Sequence, residues 1–187
     1  MEVRRHSYTK KEGDGRGRGS ALSRAGVQLA RELGADMGPF DYVLASTSPR
    51  TVETALAMGF AVDDTADMGG GVWDAATAEK GSHHAQWDWG EEAFDRYASL
   101  VAAGGPTAAL GHHQVELWRS LLTGLGDQGR ALVLGHGGLL EPGLVALAPA
   151  ADHRQWGAAI AHGEGARVCF EGVELVEIEL LRLGGPR

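Results

Sequence analysis

Residues 131–134 (Ala-Leu-Val-Leu) form an unbroken apolar run that stops abruptly at Gly135-His136-Gly137-Gly138. A strand with one wet face alternates polar and apolar residues. A run without any polar residue reads instead as a strand covered on both faces, as in a parallel sheet held between two layers of helices. The rest of the chain supplies the matching parts. Ser23 reads as the N-cap of a helix over 23–33, with Val27, Ala30 and Leu33 at helical spacing and Gly34 as its stop. Residues 40–45 read as a strand, followed by the polar turn Ser46-Thr47-Ser48-Pro49, a helix over 51–58 ended by Gly59, and a brief strand beginning at Ala61-Val62. Helical patterning returns over 91–103 and 107–122, around the Gly104-Gly105-Pro106 break, and again over 139–147. The last two strands, 167–170 and 173–181, flank Glu171-Gly172. The second mixes Glu174, Glu177 and Glu179 with apolar residues, as an exposed edge does.

Two stretches resist this reading. Residues 10–20 hold four glycines and no apolar side chain, which marks a loop with Lys10 and Lys11 solvated. Residues 63–90 contain a triple glycine, three of the five tryptophans and the pair His83-His84, and read as a long loop or excursion. Strand and helix otherwise alternate. The expected fold is therefore α/β, a three-layer sandwich with a largely parallel central sheet flanked by helices. A length of 187 residues fits one domain over 1–187.

Several classes of protein drop out. No apolar run approaches the roughly 18 residues of a membrane helix, and the charged N-terminal stretch is not a secretory leader. The single cysteine, Cys169, can form no internal disulfide and supplies no thiolate cluster. It reads as a small buried apolar group in a strand, and the expected compartment is the reducing cytoplasm. Residues 1–31 carry eight basic against three acidic side chains, whereas the whole chain has a net charge of −8. An acidic surface disfavours nucleic acid, while a confined basic patch suits a small anionic ligand steered to one place. Neighbouring histidines diverge on either a strand or a helix, so His83-His84 and His112-His113 are not read as metal ligands. Trp73, Trp87 and Trp89 read as core or loop anchors, with contact to a sugar or nucleoside moiety left open. The edge-like last strand leaves a homodimer open.

In open α/β sheets, ligands collect beyond the C-terminal ends of the strands. Three predicted strands end in chemically able residues: Arg5-His6, the segment Ser46 to Arg50, and His136. Taken singly, each is an ordinary feature: a solvated pair, a turn that starts a helix, a tight strand-to-helix turn. Their convergence at one end of a sheet is the main functional inference from pattern alone.

The residues at these strand ends resemble the signature of the histidine phosphatase superfamily, the phosphoglycerate-mutase-like group. Arg5-His6-Ser7-Tyr8-Thr9 matches its Arg-His-Gly-x-Thr motif, and Arg16 and Arg18 match its basic loop. Leu22-Ser23 to Gly26, Ser48-Pro49-Arg50 leading to Glu53-Thr54-Ala55, and Gly135-His136-Gly137-Gly138 then follow in the family's order. The match spans most of the chain apart from residues 63–130. There are two departures. Ser7 replaces a glycine and is expected to crowd the catalytic loop. Gly71-Val72-Trp73-Asp74 looks like a trimmed version of the stretch that follows the family's catalytic acid, which puts Asp67 nearest that position with Asp74, Glu79 and Glu164 in reserve.

The resemblance implies a phosphoryl transfer in which His6, as neutral imidazole, attacks phosphorus and forms a phosphohistidine that water then hydrolyses. Such covalent catalysis splits one hard displacement into two easier ones. Arg5 and Arg50 would grip the phosphoryl oxygens in bidentate fashion and lower the pKa of His6. His136, protonated once phosphate is bound, would donate to the transferring group, and Asp67 would exchange protons with the leaving oxygen and the attacking water. Thr9, Ser7, Gly137, Arg16 and Arg18 would bind substrate. The arginines and His136 supply positive charge, so no metal and no cofactor is expected. The implied ligand is a small phosphorylated substrate or inorganic phosphate. Three alternatives stay open: a mutase-type phosphotransferase, a phosphoprotein phosphatase (including one acting on phosphohistidine), and a phosphate-binding domain without turnover.

Overall fold

The computed structural model describes residues 1–10, 21–126, 128–172 and 174–184. Its elements follow the chain as β1 (Glu2–Arg5), α1 (Arg24–Gly34), β2 (Tyr42–Ser46), α2 (Pro49–Met58), β3 (Asp64–Ala66), α3 (Trp73–Lys80), α4 (Ala85–Asp88), α5 (Ala93–Ala102), α6 (Pro106–Leu125), β4 (Ala131–Gly135), α7 (Leu140–Leu147), β5 (Gly165–Glu171) and β6 (Glu174–Leu181). Short 3-10 turns lie at Gly90–Glu92 and His153–Trp156. The six strands form one sheet in the order β3-β2-β4-β1-β5-β6. The first four run parallel, and β5 and β6 add an antiparallel edge. The expected mostly parallel sheet between helical layers is what the chain forms.

β4 lies between β1 and β2, and all five of its residues are buried. Its side chains alternate between the two layers. Leu132 and Leu134 meet Ala30 of α1 and Ala55 and Met58 of α2, while Val133 joins Leu110, Trp118, Leu140 and Leu144 on the opposite face. Both faces demand apolar residues, which is why the run carries no polar break. On the α1/α2 side the backbones approach closely. A Cβ at Gly26 would fall 2.0 Å from the carbonyl oxygen of Tyr8, so only glycine lets α1 lie against the chain leaving β1. The expected caps are present: Ser23 Oγ accepts the Gly26 N–H at 3.0 Å, and α2 opens with Pro49 in its first turn and stops at Gly59 with φ +95°.

Three expectations need correction. The strand placed at Ala61-Val62 is β3 instead. This three-residue edge strand exposes most of its side chains, so its ladder to Leu44–Ser46 defines it rather than any burial pattern; Val62 packs on the α1/α2 core. Residues 63–90 are not one long loop, since they hold β3, α3 and α4. α3 buries Ala76, Thr77 and Lys80 and has no side-chain cap, so it carries no apolar stripe to read. Cys169, expected to be buried, is only half-buried, because strand alternation puts it on the open face of β5 with Arg167, opposite the buried Ala166 and Val168. Val173, at the start of the expected last strand, lies outside the described residues. Among the described residues no helix is long and apolar enough to cross a membrane.

Candidate active site

Strand register brings the site together. Parallel pairing sets Arg5 beside Gly135, so the next residues, His6 and His136, leave adjacent strand ends. The His6 N–H donates to the Gly135 carbonyl at 3.0 Å, extending that ladder by one step. β2 flanks β4 on its other edge and brings Ser46 alongside His136, with Ser46 Oγ 2.7 Å from His136 Nε2. The first turn of α2 then aims Arg50 back over both rings. Its Nε–H donates to His6 Nε2 at 3.1 Å, and Nε and Nη2 reach His136 Nδ1 at 3.3 and 3.2 Å. The two imidazole centroids lie 5.2 Å apart.

These partners settle which ring nitrogens carry protons. A carbonyl only accepts, so His6 Nδ1, 2.7 Å from the Ser7 carbonyl, bears the proton and Nε2 keeps its lone pair. A guanidinium only donates, so His136 Nδ1 is the acceptor and Nε2–H points at Ser46 Oγ. From there Ser46 donates to Thr51 Oγ1 at 2.9 Å, and Thr51 to the Ser48 carbonyl at 2.6 Å. Both rings are therefore neutral. Burial, first, then the repulsion the two imidazoles would feel if both were charged, and then Arg5 and Arg50 drive the His6 pKa down to about 2, against the opposing bond to Ser7. Burial and then Arg50 and Arg5 take His136 down to about 3. The sequence suggested that neighbouring cations would hold His6 unprotonated; desolvation does more of that work.

Arg5 is held outward from the sheet. Its Nη1–H donates to the Ile160 carbonyl and Nη2–H to His162 Nε2, both at 3.0 Å. Its guanidinium lies 4.3 Å over the ring of Trp87, and its buried Nε has no partner among the described residues. Burial lowers its pKa to about 10, still charged at neutral pH. Arg5, His6 and Arg50 floor a cleft of about 560 Å³. Its walls are Thr9, His84, Trp87, Ala161 and His162. No carboxylate is among these lining residues. Beneath the cleft the fully buried Glu141 accepts the N–H groups of Gly138 at 2.6 Å and Ile160 at 3.0 Å, tying the His136 turn to the segment that carries His162.

Of the residues expected from sequence, Arg5, His6, Arg50 and His136 come together, and Thr9 lines the cleft. Ser7 does not crowd the loop. It is fully buried, its hydroxyl donates to the Gly26 carbonyl at 2.8 Å, and its N–H donates to Thr54 Oγ1 at 3.0 Å. Gly137 sits against Arg5 and Trp87, where a Cβ would come within 3.2 Å of both side chains. Arg16 and Arg18 lie outside the described residues. Asp67 is exposed just past β3, with Oδ1 accepting the Gly69 N–H at 2.9 Å. The reserve acids have other contacts or none of these: Glu79 accepts the Thr107 N–H at the start of α6, Glu164 binds Arg182 and two backbone N–H groups, and Asp74 is exposed on α3.

Sequence reasoning missed His162 and gave Trp87 no definite place. β5 runs antiparallel to β1, so the segment entering it lies at the same end of the sheet as the segments leaving β1, β2 and β4. A histidine just ahead of such a strand was the available signal. Trp73 and Trp89 do anchor the core, and only Trp87 reaches the cleft.

The sequence profile of the histidine phosphatase superfamily, branch 1, matches residues 3–175. The chain belongs to this superfamily. Solved structures agree on the fold, which is phosphoglycerate-mutase-like. The phosphoserine phosphatase of Entamoeba histolytica, in complex with 3-phosphoglyceric acid, superposes with a TM-score of 0.67 at 16% identity, covering 98% of this chain and 96% of that one. Phosphoglycerate mutase from Bacillus anthracis gives 0.61 at 17% identity over 96% and 91%. The mycobacterial glucosyl-3-phosphoglycerate phosphatase complexed with VO3 gives 0.61 at 16% over 97% of each chain. No curated protein sequence matched. Proteins with this fold thus include both phosphatases and a mutase, at identities that speak for fold alone.

Proposed function

We propose that the protein is a phosphomonoesterase that works through a phosphohistidine on His6. The observation that carries this reading is the fixed tautomer of His6: the Ser7 carbonyl holds the proton on Nδ1, and Nε2 turns its lone pair into the cleft beside Arg50. A neutral, oriented imidazole with two guanidiniums at hand is a nucleophile placed for a dianionic phosphoryl group. Arg50 occupies the lone pair in the free protein. An arriving phosphoryl oxygen takes over the Arg50 donors, which frees Nε2 to attack. Arg5 binds a second oxygen, with Trp87 backing its guanidinium. His136, hydrogen-bonded through Ser46 and Thr51, gains basicity when a dianion offsets the arginines and then donates to the transferring group.

The test is hydrolysis of p-nitrophenyl phosphate with a chelator present, comparing the protein with its His6→Ala variant. The expected result is chelator-resistant turnover that falls by roughly three orders of magnitude or more in the variant, together with an acid-labile phosphoprotein in the unaltered protein only. Undiminished turnover in His6→Ala would end the proposal. A second reading draws on the lack of carboxylates among the described residues that line the cleft: a phosphoprotein substrate, such as a phosphohistidine, whose leaving group needs little protonation.

A further inference from the structure

An ester oxygen leaves as an alkoxide unless something protonates it, and among the described residues those lining the cleft offer no carboxylate for that purpose. Besides His6 they offer two imidazoles, His84 and His162, and of these His162 is in contact with both His6 and Arg5. His162 lies beside His6 with ring centroids 5.2 Å apart, the same separation that His6 keeps from His136. It is set against Tyr8, centroids 5.0 Å apart, and bonded to Arg5 through Nε2 at 3.0 Å. His162 thus lines the same cleft as His6 and is bonded to the Arg5 donor that a phosphoryl oxygen would take, which places it beside the reacting groups. His136, by contrast, has one nitrogen committed to Ser46 and the other to Arg50.

We propose that His162 is the proton-transfer residue of the site, acting as general acid toward the leaving oxygen and general base toward the attacking water. This rests on the phosphohistidine reading above. In the free protein Arg5 donates to His162 Nε2, so the ring proton is on Nδ1 and the ring is neutral. When a phosphoryl oxygen draws the Arg5 donor away, Nε2 is released next to a dianion and takes up a proton from solvent. His6 Nε2 then attacks phosphorus and the P–O bond to the leaving group breaks. The proton passes from His162 to that oxygen, leaving an alcohol, neutral His162 and phosphorylated His6. In the second step His162 removes a proton from water, the water oxygen bonds to phosphorus, and the P–N bond to His6 breaks. Inorganic phosphate departs, leaving neutral His6 and protonated His162; as Arg5 bonds Nε2 again, His162 returns to solvent the proton it took up on substrate binding, so protons and charge balance over the cycle.

The charged and titratable groups facing His162 are Arg5 and His6 from the end of β1, Tyr8 just beyond, and Arg50 from α2. Burial and then the two arginines hold its pKa at about 4 in the free protein. A bound dianion opposes the arginines directly, which makes substrate itself the trigger for protonation.

The experiment compares the protein with His162→Asn, which keeps an oxygen for Arg5 yet transfers no proton, over aryl and alkyl phosphates of graded leaving-group pKa. The expected result is a loss of about 10²–10⁴-fold in kcat/KM for phenyl and alkyl phosphates, with about tenfold or less for 2,4-dinitrophenyl phosphate, and slower decay of the phosphoprotein. His162→Ala with added imidazole is expected to recover activity on the poor leaving groups. Equal losses across the series, or the leaving-group effect appearing in Asp67→Asn instead, would overturn the proposal. So would a steep leaving-group dependence already present in the unaltered protein, which favours the phosphoprotein reading. These results leave the phosphohistidine reading standing, because His6-dependent turnover is measured in the same series; its absence would overturn both.

Discussion

The two walls of the cleft are built by different means. The inner wall, the cleft floor of His6 and Arg50 with His136 bonded behind it, hangs from the ends of β1 and β4, where ladder hydrogen bonds set position, and from the first turn of α2. Its side chains also bond one another, and His6 is 6% exposed. The outer wall, His84, Trp87 and His162, comes from the turn before α4, from α4 itself and from the segment ahead of β5, and Trp87 is 36% exposed. Glu141, buried beneath, joins the two through the backbone of Gly138 and Ile160. A wall fixed by strand register is suited to chemistry at one atom. A wall carried on short helices and turns is suited to choosing what that atom meets. The difference predicts that inner-wall changes act on kcat, whereas outer-wall changes, proton transfer by His162 apart, act on KM.

The largest effect expected in testing this division comes from His136→Ala, which removes the acceptor that orients Arg50. It should lower kcat by about 10²–10³-fold with little change in KM, as steady-state kinetics would show. A dominant KM effect would break the comparison at its strongest point.

Acid should weaken the inner wall next. The folded pKa values of His6 and His136, about 2 and about 3, lie below the unfolded value of about 6.5. The unfolded chain therefore binds more protons between these limits, so stability is full above about pH 6.5 and falls as pH drops toward the folded values. The slope is up to about 1.4 kcal/mol per histidine per pH unit. Urea midpoints at pH 7 and 5.5 measure it, and His136→Ala should flatten the dependence. An unchanged midpoint would mean that the rings are not held neutral by burial.

On the outer wall, Trp87→Ala removes the ring under the Arg5 guanidinium, an interaction of about 0.5–2 kcal/mol. KM should rise roughly three- to thirtyfold at nearly constant kcat. A kcat loss as deep as that of His136→Ala would erase the distinction between the walls. Smallest of all is Ser7→Gly. It deletes the bond to the Gly26 carbonyl and adds backbone freedom, so thermal or urea unfolding should show about 1 kcal/mol of lost stability with activity nearly unchanged. A marked gain in activity would mean that Ser7 obstructs the site after all.

The same division separates what could be read from the sequence and what could not. The apolar run at Ala131–Leu134, the cap at Ser23, the Pro49 start and the Gly59 stop are local signals with local causes, and the structure has them where they were expected. The Arg5-His6, Arg50 and His136 convergence was legible because residues just past parallel strands must share one end of the sheet. The excursion over 63–90 was not, because α3 buries alanine, threonine and lysine and leaves no periodic stripe. His162 escaped notice because its place depends on β5 running against β1, a pairing no local pattern announces.

The sequence by itself determined the layered α/β plan and the four residues of the inner site, since burial on both faces of β4 and the ends of its neighbours are written into local residue order. Only the tertiary structure decided the ring tautomers, the harmless packing of Ser7, the exposed position of Asp67 and the arrival of His162 and Trp87. Apart from the His6 tautomer, set by the neighbouring Ser7 carbonyl, and the exposure of Asp67, these depend on partners distant in the chain: Arg50 for His136, Gly26 for Ser7, Arg5 for His162 and Trp87. Proton positions and wall identity follow from which groups meet across the fold, and contacts of that kind leave no periodic trace along the chain.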